Sequence, residues 1–393
     1  MPGPLQGIKI LDFTTLLPGP FATMMLADLG ANVLRIVSGS RPDLTAFIPP
    51  FIGDTELSAI AAYLGRGKRS MTLNLKDDRA VRVVHQLIAT YDVVIEQFRP
   101  GVMAKFGLNY PKLKEVNPSL IYCSLTGYGQ TGPMVSRAGH DINYLSRSGL
   151  MSYSGRKETG PVLTGMQIAD VASGSYNSII GLLAAIVHRQ RTGQGQYIDV
   201  SMTDGMIAFN AMVGAASLVD SREPGLEGHL LNGGSLYDFY ETKEGNYISF
   251  GGLEPQFFAA FCQAIGRPDL IPGTVLPANL KQVKEEIRAI IKTKTRDEWT
   301  AVFQNWDACV EPVLTLTEAL NDPLVIEREM IVDLNLPGGG TVRQTACPIK
   351  FSETSPNCQH AGMPVGTNTR QVMHELGYTE EEVSEFEKTG LFN

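Results

Sequence analysis

The chain has 393 residues and a mass of 42.7 kDa, with 43% hydrophobic and 19% charged residues, which suits a substantial core and two domains rather than one. A formal net charge of -8 argues against nucleic acid as a partner, because a phosphate-tracking surface needs a basic excess. The 5 cysteines, Cys123, Cys262, Cys309, Cys347 and Cys358, show no C-x-x-C pair and no metal-ligand spacing, which favours free thiols in a reducing compartment and no bound metal.

The opening "MPGPLQGIKILDF" lacks a charged region followed by an apolar one, and no apolar run approaches the roughly 18 residues of a membrane span. The expectation is a cytoplasmic protein with no membrane partner. "GIKILDF" predicts a strand, "GPFATMMLADLG" a helix closed by Gly30, and "ANVLRIV" a second strand, together a βαβ unit. A helix over "DDRAVRVVHQLIATY" and strands at "DVVIEQF" and "SLIYCSL" extend the pattern, so the expected class is α/β with a parallel sheet covered by helices. Ligands of such sheets bind outside the carboxyl ends of the strands. "LLPGPFA", "VSGSR", "RPG" and "TGYGQTGP" each follow a strand on that edge.

Further on, "ASGSYNSIIGLLAAIVHRQRTG" reads as one long helix with basic residues late, as the helix dipole favours. After the strand "QYIDVSM" and a helix over "TDGMIAFNAMVGAASLV", the stretch "DSREPGLEGHLLNGG" is rich in turn formers and reads as a linker. A smaller unit follows. It has a hairpin turning at Glu244-Gly245-Asn246 and helices over "PQFFAAFCQAIG", "LKQVKEEIRAIIKT" and "RDEWTAVFQNW". A last helical pair starts at "NTRQVMHELG".

Charge is unevenly spread. Residues 1–110 hold 11 Lys and Arg against 9 Asp and Glu, a basic excess inside an acidic chain. Arg35, Arg41, Arg66, Lys68, Arg69, Lys76, Arg99 and Lys105 suit a small polyanionic ligand, or a solvated surface. Several familiar signatures fail: "GYGQTG" has the spacing of a dinucleotide loop but lies far from the first strand, "GRGKRS" lacks the first glycine of a P-loop, and neither H-E-x-x-H nor G-x-S-x-G occurs. Three acid/base candidates remain. His140 follows the glycine-rich turn, Asp170 stands before the long helix, and Glu254 precedes a proline at a helix start. Each also has a structural reading: an ordinary histidine, and helix caps at the two acids.

Together the segments "GIKILDFTTLLPGPFATMMLADLGANVLRI", "GRGKRSMTLNLK", "EQFRPGVMAKFGL", "SLTGYGQTGP", "AGHDINY", "PVLTGMQIAD", "RTGQGQYIDVSMTDG" and "DACVEPVLTLTEAL" resemble the class III CoA-transferase family, within it the α-methylacyl-CoA racemase branch. The resemblance implies a large Rossmann-like domain made by both chain ends and a smaller α+β domain between them, in an interlocked homodimer. The corresponding segments are 1–203 for the large domain, 204–231 for a helix and linker, 232–312 for the small domain and 313–393 for the return. It implies no prosthetic group, coenzyme A being part of an acyl-CoA substrate. His140, Asp170 and Glu254 match the racemase acid/base set, with Glu254 orienting the histidine and coming from the other subunit. Arg35, Arg66, Lys68, Arg69 and Arg99 are the candidate partners of the CoA phosphates, joined by Leu73, Gly139 and Tyr144. The sequence "DVASGSYN" after the aspartate departs from the glycine-rich run of the racemases, and the aspartate is shared with the transferases.

Racemisation beside a thioester needs a proton removed from one face of Cα and another delivered to the opposite face. His140 and Asp170 fit that demand, and the backbone N–H groups opening the "DVASGSYN" helix are candidates to hold the enolate oxygen. In the alternative, a CoA-transferase, Asp170 attacks the thioester and passes through an aspartyl-CoA thioester. A third reading is an acyl-CoA-binding protein without turnover.

Overall fold

Six short strands build one parallel sheet in the computed structural model, which describes residues 3–273, 275–356 and 358–393. The strands are β1 (Lys9–Phe13), β2 (Asn32–Val37), β3 (Arg69–Thr72), β4 (Val93–Glu96), β5 (Ile121–Thr126) and β6 (Tyr197–Ser201). β4 and β5 are buried at every residue, as expected of strands covered on both faces. Their order is β3-β2-β1-β4-β5-β6, so the winding reverses between β1 and β4, the place where doubly wound sheets receive ligands. β3 was not expected: it opens on Arg69 and has only four residues, too few for an alternating pattern to show.

Two helices illustrate how the sheet is covered. α1 (Pro18–Asp28) starts on a proline, and all but Phe21 of its residues are buried, so it is apolar all round rather than one-sided. α2 (Asp78–Ile88) is amphipathic: Asp77 caps it by accepting the Arg79 N–H, and Ala80, Val83, Val84, Leu87 and Ile88 recur at the helical period on its buried face. Helices at Thr369–Glu375 and Glu380–Lys388 bring Val372, Met373 and Val383 into the same core, so the chain end completes the sheet's cover.

The expected long helix is two structures in one. A π-helical turn at Ala169–Ser175 runs without a break into an α-helix at Tyr176–Thr192, ended by Gly193 in the left-handed region. The combined 24 residues are long and apolar enough to cross a membrane by length and composition, contrary to the expectation of a shorter run, and 44% of the most apolar window is buried against the rest of the protein. The helix expected over "TDGMIAFNAMVGAASLV" is interrupted at Phe209–Asn210, giving Met202–Ala208 and Ala211–Asp220. The boundary between two compact units falls at that break.

One unit contains the sheet and comprises residues up to 148, 164–209 and 324–393; the other comprises 149–163 and 210–323. The second is α+β, with an antiparallel sheet of Asp238–Glu241, Tyr247–Phe250 and Val310–Pro312. Its hairpin turns at Glu244-Gly245-Asn246, where Gly245 has φ +81, a value that favours glycine. Helices Pro255–Ala264, Leu280–Ile291 and Arg296–Phe303 cover one side, and Phe250, Phe261 and Trp299 fill the core between.

Candidate active site

Each strand from β1 to β5 ends at a loop that opens onto a single cavity of ≈ 990 Å³ in the sheet-bearing unit. Phe13 and Leu16 face it after β1, Arg41 after β2, Leu73 and Lys76 after β3, Phe98 and Arg99 after β4, and Gly127 and Tyr128 after β5. The strand spacing of about 4.8 Å puts about 19 Å between the β3 and β5 ends. The site is therefore elongated and follows from the topology alone.

His140 and Asp170 both line this cavity. His140 is exposed and stands immediately before the short helix α3 (Asp141–Arg147), its backbone N–H held by Asn143 Oδ1 at 3.0 Å. Asp170 lies inside the π-helical turn, a geometry found mostly as a local insertion at functional sites. It is not a cap: its carboxylate accepts no hydrogen bond from the described residues. Asp141 takes the Asp170 backbone N–H at 3.0 Å, which fixes a second carboxylate beside it. Burial, followed by the charge of Asp141, pushes the Asp170 carboxyl up to about 7. Of the N–H groups expected to hold an oxyanion, that of Asp170 is thus occupied by Asp141, and that of Val171 by the Gln167 carbonyl at 3.0 Å.

Tyr144 lines the same cavity. Its hydroxyl donates to the Gly139 carbonyl at 2.5 Å, and burial, with the Asp170 charge second, pushes its phenol up to about 12. A Cβ at Gly127 would lie 2.3 Å from the Tyr144 ring and one at Gly139 would lie 2.7 Å from it, so both glycines are required by the close approach of that ring.

Four cations line the cavity: Arg41, Lys76, Arg99 and Arg137. All are exposed, and none makes an ion pair with another described residue. Of the eight candidate CoA contacts, Leu73, Arg99, Gly139 and Tyr144 line this cavity with His140 and Asp170. The other four do not. Arg66 is fully buried, with Nε and Nη2 on Asp28 at 3.0 and 2.6 Å and Nη1 on the Thr345 carbonyl. Lys68 is 2% exposed and is surrounded by Asp12, the Pro20 carbonyl and Thr23. Arg35 pairs with Asp43, which also accepts the Leu16 and Thr45 N–H groups. Arg69 turns to Glu375 at 2.7 Å. Arg137 was missed by sequence reasoning, although its place three residues before His140 on the same loop was the available signal. Glu254 lies in the other unit, immediately before helix Pro255–Ala264, with its carboxylate exposed and capping nothing. No group of three or more His, Cys, Asp or Glu suited to a metal occurs among the described residues.

A doubly wound sheet with a cavity at its carboxyl edge lined by four cations defines an α/β protein of the kind that takes its ligand at that edge. The comparison with known proteins makes the class specific: the chain matches CoA-transferase family III over residues 5–369 and belongs to that family. It is 33% identical over 382 residues to the α-methylacyl-CoA racemase of Homo sapiens, covering 96% of this chain and 95% of the relative. It is also 32% identical over 380 residues to the succinyl-CoA:glutarate CoA-transferase of Mus musculus, covering 95% and 86%. Among solved structures, a CAIB/BAIF family protein from Brucella suis superposes with a TM-score of 0.84 at 29% identity, covering 96% of this chain and 100% of the other.

Proposed function

We propose that the protein is an acyl-CoA racemase that inverts the α-carbon of 2-methyl-branched acyl-CoA thioesters. The observation that carries this reading is an acid held near neutrality and a histidine on one cavity. General acid/base catalysis is most effective when the group's pKa lies near the working pH, which is where burial and Asp141 put Asp170. The thioester lies at the β5 end, where His140 takes the Cα proton of one enantiomer while protonated Asp170 delivers one to the opposite face. For the other enantiomer the roles reverse. The CoA phosphates meet the cavity's cations, Arg41, Lys76, Arg99 and Arg137. Glu254 orients His140 from the partner subunit of a homodimer. The exposed apolar side chains of Ala211–Asp220, where Met212, Leu218 and Val219 are 68%, 90% and 88% exposed, support such a partner.

The test is incubation with 2-methylacyl-CoA in deuterated water. Label at Cα is expected, and His140→Ala should lower racemisation about 10²- to 10⁴-fold and make the residual exchange stereochemically one-sided. The transferase relative at similar identity favours a second reading, in which Asp170 is the nucleophile. Capture of an aspartyl-CoA thioester at Asp170 by hydroxylamine, with no deuterium at Cα, would replace the first reading by the second. An active, stable monomer in sedimentation would overturn the dimer.

A further inference from the structure

At the carboxyl edge of the sheet lies an acid that this chemistry does not use. Glu96 ends β4 and is 4% exposed. In the parallel register it lies opposite Ser124 of β5, and Ser124 lies opposite Asp199 of β6, so the three form one row across adjacent strands. One step deeper on this face, Val94 and Tyr122 belong to the apolar core. The row is where the face turns from apolar to polar.

Each end of the row holds a cavity loop. Glu96 accepts the Ser124 hydroxyl on Oε1 at 2.5 Å and the Phe98 N–H on Oε2 at 2.8 Å. Phe98 and Arg99 line the cavity. Asp199 Oδ2 accepts the Gln130 N–H at 2.9 Å, in the glycine-rich loop whose Gly127 and Tyr128 line the same cavity. No cation pairs with Glu96 or Asp199 among the described residues. Burying a carboxyl without a counter-ion is costly, and a neutral amide would accept the same N–H without that cost. Packing alone therefore does not account for an acid at this position.

We infer that Glu96, Ser124 and Asp199 form a positioning row that holds the Phe98–Arg99 and Tyr128–Gln130 loops at the spacing acyl-CoA requires. The inference rests on the acyl-CoA reading of the cavity. Burial, above all, and the charge of Asp199 push the Glu96 carboxyl up to about 7, against the bonds from Ser124 and Phe98 that pull it down. The other titratable groups around it are Tyr122 and Cys123 of β5 and Tyr197 of β6, all raised by burial and so neutral in this range. Above about pH 7 the ionised carboxylate accepts the Phe98 N–H as a charge-assisted bond; below it, the protonated group is a weaker acceptor. Loop order and CoA affinity should therefore rise with pH.

Amide hydrogen exchange at Phe98 and calorimetric binding of free CoA, measured at about pH 6 and about pH 8, test the row in wild type, Glu96→Gln and Ser124→Ala. Wild type should gain about fivefold in Phe98 protection and in CoA affinity between the two, the difference between a charged and a neutral hydrogen bond. Glu96→Gln should stay folded, keep the Phe98 bond and lose this gain. Phosphate groups of CoA titrate in the same range, so the decisive quantity is the difference between variants binding the same ligand. Ser124→Ala should weaken binding at both pH values and move the pH gain to higher pH, because it removes a bond that pulls the Glu96 carboxyl down. Equal pH dependence of Phe98 protection in wild type and Glu96→Gln overturns the inference. If wild type binds no CoA, the acyl-CoA reading falls instead, and the exchange measurement still decides whether the row holds the loop.

Discussion

Arg66 and Lys68 beneath the sheet edge, and Arg41 and Arg99 on the cavity rim, belong to one basic stretch of the chain, yet the first two are buried and the last two are exposed. The difference lies in partners. Asp28 and Asp12 reach Arg66 and Lys68 from α1 and β1, and a cation can be buried only when such a carboxylate and further acceptors meet it. No described carboxylate pairs with the rim cations, which stay exposed to water. The two regions divide one stretch: one set of charges ties α1 and β1 to the segment before β3, and the other lines the cavity.

The largest way to break this division is to remove a sealed cation. Arg66→Ala leaves Asp28 buried and uncompensated and should cost about 3–5 kcal/mol of stability in denaturant unfolding. CoA affinity of the fraction that remains folded should be unchanged. At the rim the signature reverses: Arg99→Ala or Arg137→Ala should leave the unfolding midpoint in place and weaken CoA binding about tenfold, more at low salt than at high. A stability loss at Arg99 comparable to that at Arg66 would erase the distinction.

A pH titration sharpens the comparison without mutation. Burial, outweighing the attraction of Asp12 and reinforced by the repulsion of Arg35, pulls the Lys68 ammonium down to about 8 from its ordinary 10.5. Between those values the unfolded chain binds the proton that the folded one releases, so Lys68 makes stability rise with pH from about 8 to about 10.5. Urea midpoints across that range should show the rise, and a Lys68→Met/Asp12→Asn variant should flatten it. The smallest effect is expected at Arg69, whose partner Glu375 is half in solvent: Arg69→Ala should change stability by about 1 kcal/mol or less and leave CoA affinity untouched.

Much of this was legible in the sequence. Strands β1, β2, β4 and β5 announce themselves because apolar runs of the right length are bounded by glycines, prolines and charges, and the loops of the cavity follow from the rule that ligands meet the carboxyl ends of strands. His140 and Asp170 stood out as titratable groups beside turns. Arg66 and Lys68 could not be told from Arg99 by composition, because the carboxylates that bury them lie 38 and 56 residues away in the chain. The π-helical turn was equally hidden. An Asp before a helix reads as a cap, and only the tertiary packing of Ser173 on the Met202 carbonyl and Ser175 on the Pro18 carbonyl shows the wider turn.

That turn makes Asp170 unusually sensitive to the length of the chain. Each residue of an α-helix turns the chain by about 100° and advances it about 1.5 Å. Tyr176–Thr192 is pinned by Ile179, Leu182, Ala185 and Ile186 in the core, so a change in length within Ala169–Ser175 must be taken up on the Asp170 side. Deleting one residue there would rewind the segment into ordinary helix and swing the carboxyl roughly a quarter-turn around the axis, off the cavity wall. An inserted residue would in the same way return an ordinary helix to this winding, so the place of the Asp170 carboxyl is set as much by the tally of residues along one helix as by which residues they are.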